Sequence, residues 1–176
     1  MMNLESDRLY LKILTQDDSG PYYLLSQNDG FRQFQISDYR KNSKEDASHW
    51  ITQLELYHKR NGFGIVGVFE KNGQTLVGLG ALKYLEEEQR SPVELMYRIS
   101  DNFWGKGYGF EIASTLICHA FENLNIDHLV ATVDPKNLPS KKILLKLGFQ
   151  FERMIQVESY DEELYKLLAI CKNMGK

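Results

Sequence analysis

Asp101-Asn-Phe-Trp-Gly-Lys-Gly-Tyr-Gly-Phe-Glu111 sets three alternating glycines, Gly105, Gly107 and Gly109, between an apolar run over 93–99 and a helical pattern over 110–124. That order is strand, glycine loop, helix N-terminus. Glycine tolerates positive φ and lets the backbone come close to a ligand. A helix start offers unpaired N–H groups and a partial positive charge. Together they form a phosphate cradle. A glycine turn without a ligand would look the same locally, so the loop alone leaves the ligand open.

The usual phosphate binders do not fit. No G-x-x-x-x-G-K-[ST] string occurs. The dinucleotide fingerprint G-x-G-x-x-G is met by Gly105 and Gly107, but Phe110 stands where the third small residue belongs, and its ring would block close helix–strand packing. Kinase signatures such as H-R-D and D-F-G are absent.

A second segment, Asp134-Pro-Lys-Asn-Leu-Pro-Ser-Lys-Lys-Ile-Leu-Leu-Lys-Leu-Gly-Phe149, narrows the choice. Taken with the glycine loop, it resembles the GNAT superfamily of acyl-CoA-dependent N-acetyltransferases, and within it the RimJ/RimL-like branch. The family's glycine motif is Q/R-x-x-G-x-G/A, and its later motif is N-x-x-S/A before a short helix and G-F. Gly107, Gly109, Asn137, Ser140, Gly148 and Phe149 match in order and spacing. Glu5-Ser-Asp-Arg-Leu-Tyr-Leu-Lys12 is similar to the branch's first strand, so the likeness spans nearly the whole chain. There are two departures. Trp104 stands for the opening Gln or Arg, and Leu144 stands where many members carry a tyrosine acid.

The resemblance implies acetyl-CoA as acyl donor, with its arm between two splayed strands. The backbone of Arg98, Ile99 and Ser100 would then pair with the pantetheine like an added strand. The pyrophosphate would rest on N–H groups of Gly105, Lys106, Gly107, Tyr108 and Gly109. The Lys106 side chain either adds charge or is simply solvated. Asn137 would touch the pantetheine, its alternative being a turn residue after Asp-Pro. Ser140 would hydrogen-bond the thiolate, its alternative being a helix cap.

The residue patterns outline the fold. Alternation over Arg8–Leu14 reads as a strand. A helix is expected over about 16–28, and another from its cap Ser43 to Asn61-Gly62. Two strands joined at Lys71-Asn-Gly-Gln74 form a hairpin. Strands follow over 92–100 and 128–134, separated by the helix behind the glycine loop. This connection makes the two parallel. A short helix after Pro139 ends at Gly148, and a last hairpin runs over 150–160 and 163–171. The expected fold is α/β: a mixed, mostly antiparallel sheet of about seven strands, helices on both faces, and a splayed parallel pair.

Transfer to an amine needs a neutral amine, a stabilised oxyanion and a leaving thiolate. An α-amine of pKa near ~8 needs roughly 1 kcal/mol to deprotonate at pH 7, and a lysine-like amine near ~10.4 needs roughly 4–5 kcal/mol. Glu94, a carboxylate inside the apolar strand Val93-Glu-Leu-Met-Tyr-Arg-Ile, is the first candidate base. Its alternative is a solvent-facing neighbour of Arg98. Ser140 can serve the leaving group because a thiolate of pKa near ~8.5 needs little more than a hydrogen bond.

The bulk numbers agree. With 176 residues, 43% hydrophobic and 26% charged, the chain reads as one globular domain, 1–176. A net charge of −3 argues against nucleic acid as a partner. Cys118 and Cys171 make no disulfide framework, and mid-helix Cys118 reads as inert packing. His49, His58, His119 and His128 have no ligand spacing, so no metal is expected. Without a leader or long apolar run, the default is a cytoplasmic protein with no membrane partner. Tyr22, Tyr23, Phe31, Phe34 and Tyr39 are expected on the amine side of the cleft or in the core.

These readings converge on an acetyl-CoA-dependent N-acetyltransferase acting by direct attack in a ternary complex. The branch resemblance implies a protein or peptide N-terminal α-amine as acceptor. The alternatives are a small-molecule enzyme for a polyamine or amino sugar, or a non-catalytic acyl-CoA-binding regulatory module, which the missing tyrosine at 144 favours. A homodimer through the last hairpin would cover an edge strand.

Overall fold

The computed structural model describes residues 3–34, 41–86 and 90–169. Tyr39 and Cys171 lie outside them. Eight strands form one sheet: β1 (Asn3–Glu5), β2 (Leu9–Lys12), β3 (Ile65–Glu70), β4 (Leu76–Tyr84), β5 (Val93–Ile99), β6 (His128–Val133), β7 (Gln150–Val157) and β8 (Tyr160–Leu168). Their order across the sheet is β1-β2-β3-β4-β5-β6-β8-β7. The helices are α1 (Ser19–Ser26), α2 (Asp29–Arg32), α3 (Lys44–Asn61), α4 (Tyr108–Glu122) and α5 (Leu138–Lys146).

Every neighbouring pair is antiparallel except β5–β6, which meet in parallel with Glu94 opposite Val130. The ladders on their outer sides run on, β5 against β4 from Val93 to Ile99 and β6 against β8 from His128 to Val133. The break is therefore confined to the line between β5 and β6, at the strand–helix–strand crossover made by α4.

The two faces of the sheet carry different helices. Ile112, Ala113 and Leu116 of α4 pack with Leu144 of α5 and Phe149 over Val66, Val68, Val77 and Leu95. On the other face, Tyr22 and Leu25 of α1, Phe31 of α2 and Ala47, Ile51 and Leu54 of α3 bury Leu14, Phe69 and Leu79. Burial of these side chains supplies the main stabilisation, roughly 1.5–3 kcal/mol for each large one.

Local signals account for most element ends. Ser43 Oγ accepts from the Asp46 N–H at 3.1 Å to start α3, and Gly62 at φ 79° ends it. Four details differ from the expectation. The sheet has eight strands, because Asn3–Glu5, too short to show a period, pairs with β2. The first helix starts at Ser19 after a 3-10 turn over Gln16–Asp18, where Asp18 Oδ2 accepts from the Thr15 N–H at 2.8 Å. β8 starts at Tyr160, three residues before the expected point. Cys118 is exposed on α4 rather than packed. Among the described residues, no helix is long and apolar enough to cross a membrane.

Candidate active site

The glycine loop takes the conformation its composition requires. Gly105 and Gly107 sit at φ 75° and 81°, in the left-handed region, and Gly107 caps α4. Tyr108 is buried, and its hydroxyl donates to Glu70, so the ring anchors the helix start while its backbone stays at the loop. A cleft of about 710 Å³ lies above the loop, lined by Arg98 and Ile99 of β5, Gly105, Gly107, Tyr108 and Gly109, and Asn137, Pro139 and Ser140 at the start of α5. A Cβ at Gly109 would come 2.9 Å from Ile143 Cδ1, so that glycine lets α4 and α5 close around the cleft.

A second cavity, of about 220 Å³, opens between β5 and β6, where Met96, Tyr97 and Arg98 face Ala131, Thr132 and Asp134. It shares Tyr97, Arg98, Asn137 and Ser140 with the cleft, so the two meet at these side chains. Its carboxylates differ. Glu94, 5% exposed, pairs with Lys83 Nζ at 2.7 Å and accepts from Thr132 Oγ1 at 2.5 Å. Glu162 of β8, 6% exposed, has no hydrogen bond or ion pair to its carboxylate among the described residues. Burial pushes Glu162 up to about 7, with the charges of Asp134 and Glu94 adding to the rise and Arg98 opposing it. A carboxyl near 7 can hold or release a proton at neutral pH.

At the junction, Asn137 caps α5, its Oδ1 accepting from the Ser140 N–H at 3.2 Å. Ser140 Oγ lies 2.8 Å from the Tyr97 hydroxyl. Burial pushes the Tyr97 phenol up to about 12, against the lowering effect of the Ser140 contact. Leu144 is buried one turn further on.

Most expected site residues meet here: Glu94, Arg98, Asn137 and Ser140 line the small cavity, and Arg98, Ile99, Gly105, Gly107, Tyr108, Gly109, Asn137 and Ser140 line the cleft. Two expected cofactor contacts do not. Ser100 is buried, its N–H donating to Val77 O at 2.9 Å and its C=O accepting from Phe103 N–H at 2.9 Å, so its backbone is already paired within the fold. The Lys106 ammonium lies 4.6 Å over the Phe103 ring and outside the cleft lining. Of the aromatics, Phe34 lines both cavities, whereas Tyr22 stacks on Trp50 in the core. Among the described residues no cluster of His, Cys, Asp and Glu could hold a metal ion.

Glu162 and Tyr97 were not singled out from the sequence. Glu162 lies two residues before buried Leu164, on the same face of β8 by strand alternation, which is the signal that marks it as inward.

Residues 8–150 match the family model described as "Acetyltransferase (GNAT) domain". The chain is 26% identical over 157 residues to "Uncharacterized N-acetyltransferase YoaA" of Bacillus subtilis (strain 168), covering 89% of this chain and 88% of that protein. It is 24% identical over 157 residues to "[Ribosomal protein uS5]-alanine N-acetyltransferase" of Escherichia coli (strain K12), covering 86% and 79%. Among solved structures, RimL, a ribosomal L7/L12 alpha-N-protein acetyltransferase in complex with coenzyme A, superposes with a TM-score of 0.80 over 95% of this chain and 98% of that one. At 17% identity that likeness speaks for the fold.

Proposed function

The chain belongs to the GNAT acetyltransferase family, and from that premise we propose that it moves the acetyl group of acetyl-CoA directly onto an N-terminal α-amine of a peptide or protein in a ternary complex. The observation that carries this reading is Glu162, a buried carboxylate with no hydrogen-bond or ion-pair partner among the described residues, pushed up to about 7 in a cavity that joins the cleft. A base near pH 7 suits an α-ammonium of pKa near ~8, a proton transfer uphill by roughly 1 kcal/mol. A lysine-like ammonium near ~10.4 would cost roughly 4–5 kcal/mol. The relative that acts on a ribosomal-protein alanine supports the same acceptor class.

The cleft fits the donor. Left-handed glycines at a helix start suit a pyrophosphate. The stretch of β5 beyond Glu94, together with Asn137, suits an extended pantetheine arm. Acetyl-CoA supplies the activated thioester. Arg98, Ile99 and Asn137 hold the arm, and the N–H groups from Gly105 to Gly109 face the phosphates. Glu162 takes a proton from the acceptor ammonium, directly or through one water. Glu94, paired with Lys83, lines the same cavity as Glu162. Ser140, steadied by Tyr97, gives a hydrogen bond to the leaving sulfur.

The test is turnover of acetyl-CoA with four acceptors: a peptide with a free N-terminal alanine or serine, the same peptide blocked at its α-amine but carrying a free lysine, spermidine and glucosamine. Free thiol and product mass are followed. Acetylation of the free N-terminus alone is expected. Turnover confined to spermidine or glucosamine replaces the acceptor class. Tight CoA binding without turnover on any amine points to the non-catalytic module.

A further inference from the structure

Arg8, just before β2, reaches the glycine loop from outside the cleft. Its Nη1 donates to Lys106 O at 2.9 Å. Its Nε donates to Glu111 Oε2 at 2.8 Å, and Nη2 stands 2.6 Å from the same oxygen. The Arg8 backbone N–H and Ser6 Oγ both donate to Glu111 Oε1, at 2.9 and 2.7 Å. Glu111 belongs to the first turn of α4. Burial opposes its ionisation, but the hydrogen bonds from Ser6 and Arg8 and the guanidinium charge outweigh that and hold its carboxyl below the usual range. The guanidinium also lies 4.6 Å over the Tyr108 ring.

The loop separates Arg8 from the cleft. Arg8 and Glu111 line a groove on one side and Trp104, Gly105 and Gly109 line the cleft on the other, while Gly107 borders both. In a trans peptide the C=O and N–H point in opposite directions. A Lys106 carbonyl turned to Arg8 therefore turns the Gly107 N–H toward the cleft. The orientation of this peptide is set by ψ of Lys106 and φ of Gly107, and Gly107, at φ 81°, tolerates either sign of φ. Rotated the other way, it would present a carbonyl oxygen to an anion.

We propose that Arg8 is a positioning residue for pyrophosphate binding: anchored on Glu111, it pins the Lys106 carbonyl outward and so aims the Gly107 N–H at the cofactor phosphates. Its charge is spent on Glu111, so it acts through the backbone and touches no phosphate. The fork of an arginine can grip a carboxylate and still reach a carbonyl, whereas one ammonium cannot hold the same geometry. The inference rests on the acetyl-CoA reading above.

The experiment compares wild type, Arg8→Ala and Arg8→Lys in binding to CoA and to pantetheine, which lacks the pyrophosphate, with thermal midpoints measured alongside. Wild type is expected to bind CoA far more tightly than pantetheine. In Arg8→Ala the Kd for CoA rises about tenfold, the loss of a hydrogen bond to a charged group, while pantetheine binding is unchanged. The KM for acetyl-CoA rises with it, and kcat at saturation stays within about twofold. Arg8→Lys keeps a cation beside Glu111 and recovers the thermal midpoint, but its Kd for CoA stays raised severalfold. It decides the question if Arg8→Ala does not fold. Variants that bind CoA like wild type, or lose CoA and pantetheine affinity equally, make Arg8 a tie for the fold and overturn the proposal. A wild type that binds CoA no better than pantetheine has no pyrophosphate subsite, and that result removes the acetyl-CoA reading as well.

Discussion

The Tyr97 hydroxyl stands 2.8 Å from Ser140 Oγ, which brings a phenol from β5 to the start of α5, where the two cavities meet. A phenol pushed up to about 12 by burial stays protonated across the working pH range, so it can donate to Ser140 Oγ or to the Ser140 carbonyl, 3.3 Å away, and either hydroxyl can be the donor of the pair. When the phenol donates to Ser140 Oγ, the Ser140 proton is free to point at the leaving sulfur of the transfer proposed above. In that proposed transfer the pair would stand in for the tyrosine absent at 144, where Leu144 is buried.

The pair makes one prediction about coupling. Tyr97→Phe keeps the ring and removes the hydroxyl, and is expected to lower kcat about tenfold, the size of one hydrogen bond felt in the transition state, with little change in either KM. Ser140→Ala is expected to cost at least as much. Because Tyr97 acts through Ser140, the double variant should be no slower than Ser140→Ala alone. Steady-state kinetics of the three variants check this, and fully additive losses would mean that the two groups act separately.

Glu162 should carry the pH dependence of turnover. A base works when ionised, so kcat is expected to rise with pH through an inflection near 7, the value to which burial and neighbouring carboxylates bring it. Glu162→Gln should lower kcat by about 10²–10⁴-fold and remove the inflection. A pH–rate profile of the variant parallel to that of wild type would assign the proton transfer to another group.

Charge neighbours should move that inflection. Asp134 and Glu94 both raise Glu162, so neutralising either favours its ionised form. Asp134→Asn keeps an oxygen to accept from the Lys136 N–H, a contact of 2.7 Å, and should shift the inflection to lower pH. Glu94→Gln should shift it the same way and also removes the Lys83–Glu94 ion pair. The profiles are read against wild type at saturating acetyl-CoA. A shift to higher pH in either variant would contradict the assigned electrostatics.

How much of this was legible in the sequence followed the range of the interactions. The glycine loop, the Ser43 cap, the Asn72-Gly73 hairpin and the short helix between Pro139 and Gly148 each depend on a few adjacent residues, and each stands where the residue pattern placed it, although the cap of that helix is Asn137 and not Ser140. The parallel pair followed from the strand–helix–strand order. What stayed hidden depends on distant partners or on a boundary. Tyr97 meets Ser140, 43 residues on, and Arg8 meets Lys106 and Glu111, about a hundred residues on. Glu162 was hidden by a strand end set three residues late, which put it in a turn instead of on the inner face beside Leu164. Glu94 stood out as a carboxylate in an apolar strand, but its Lys83 partner sits on the neighbouring strand, opposite in register, where sequence spacing gives no sign of it.

The same Glu162 should also leave a mark on stability. Its carboxyl is raised from the usual 4.5 to about 7 in the folded chain. Between those values the folded state keeps a proton that the unfolded state has released, so stability falls as pH rises through the window, and the full cost applies above 7. Glu162→Gln removes the ionisable group and with it that cost. The variant is expected to melt at a higher temperature than wild type at pH 8, by a few degrees, since each kcal/mol recovered moves Tm by about 2–4 °C at this chain length. Below pH 4.5 both side chains are neutral in both states, and the difference should vanish. Thermal unfolding of the two proteins at pH 4 and pH 8 measures it. A variant no more stable than wild type at pH 8 would mean that the carboxylate is satisfied by water in the cavity, and the base would then have to be found closer to the ordinary carboxylate range.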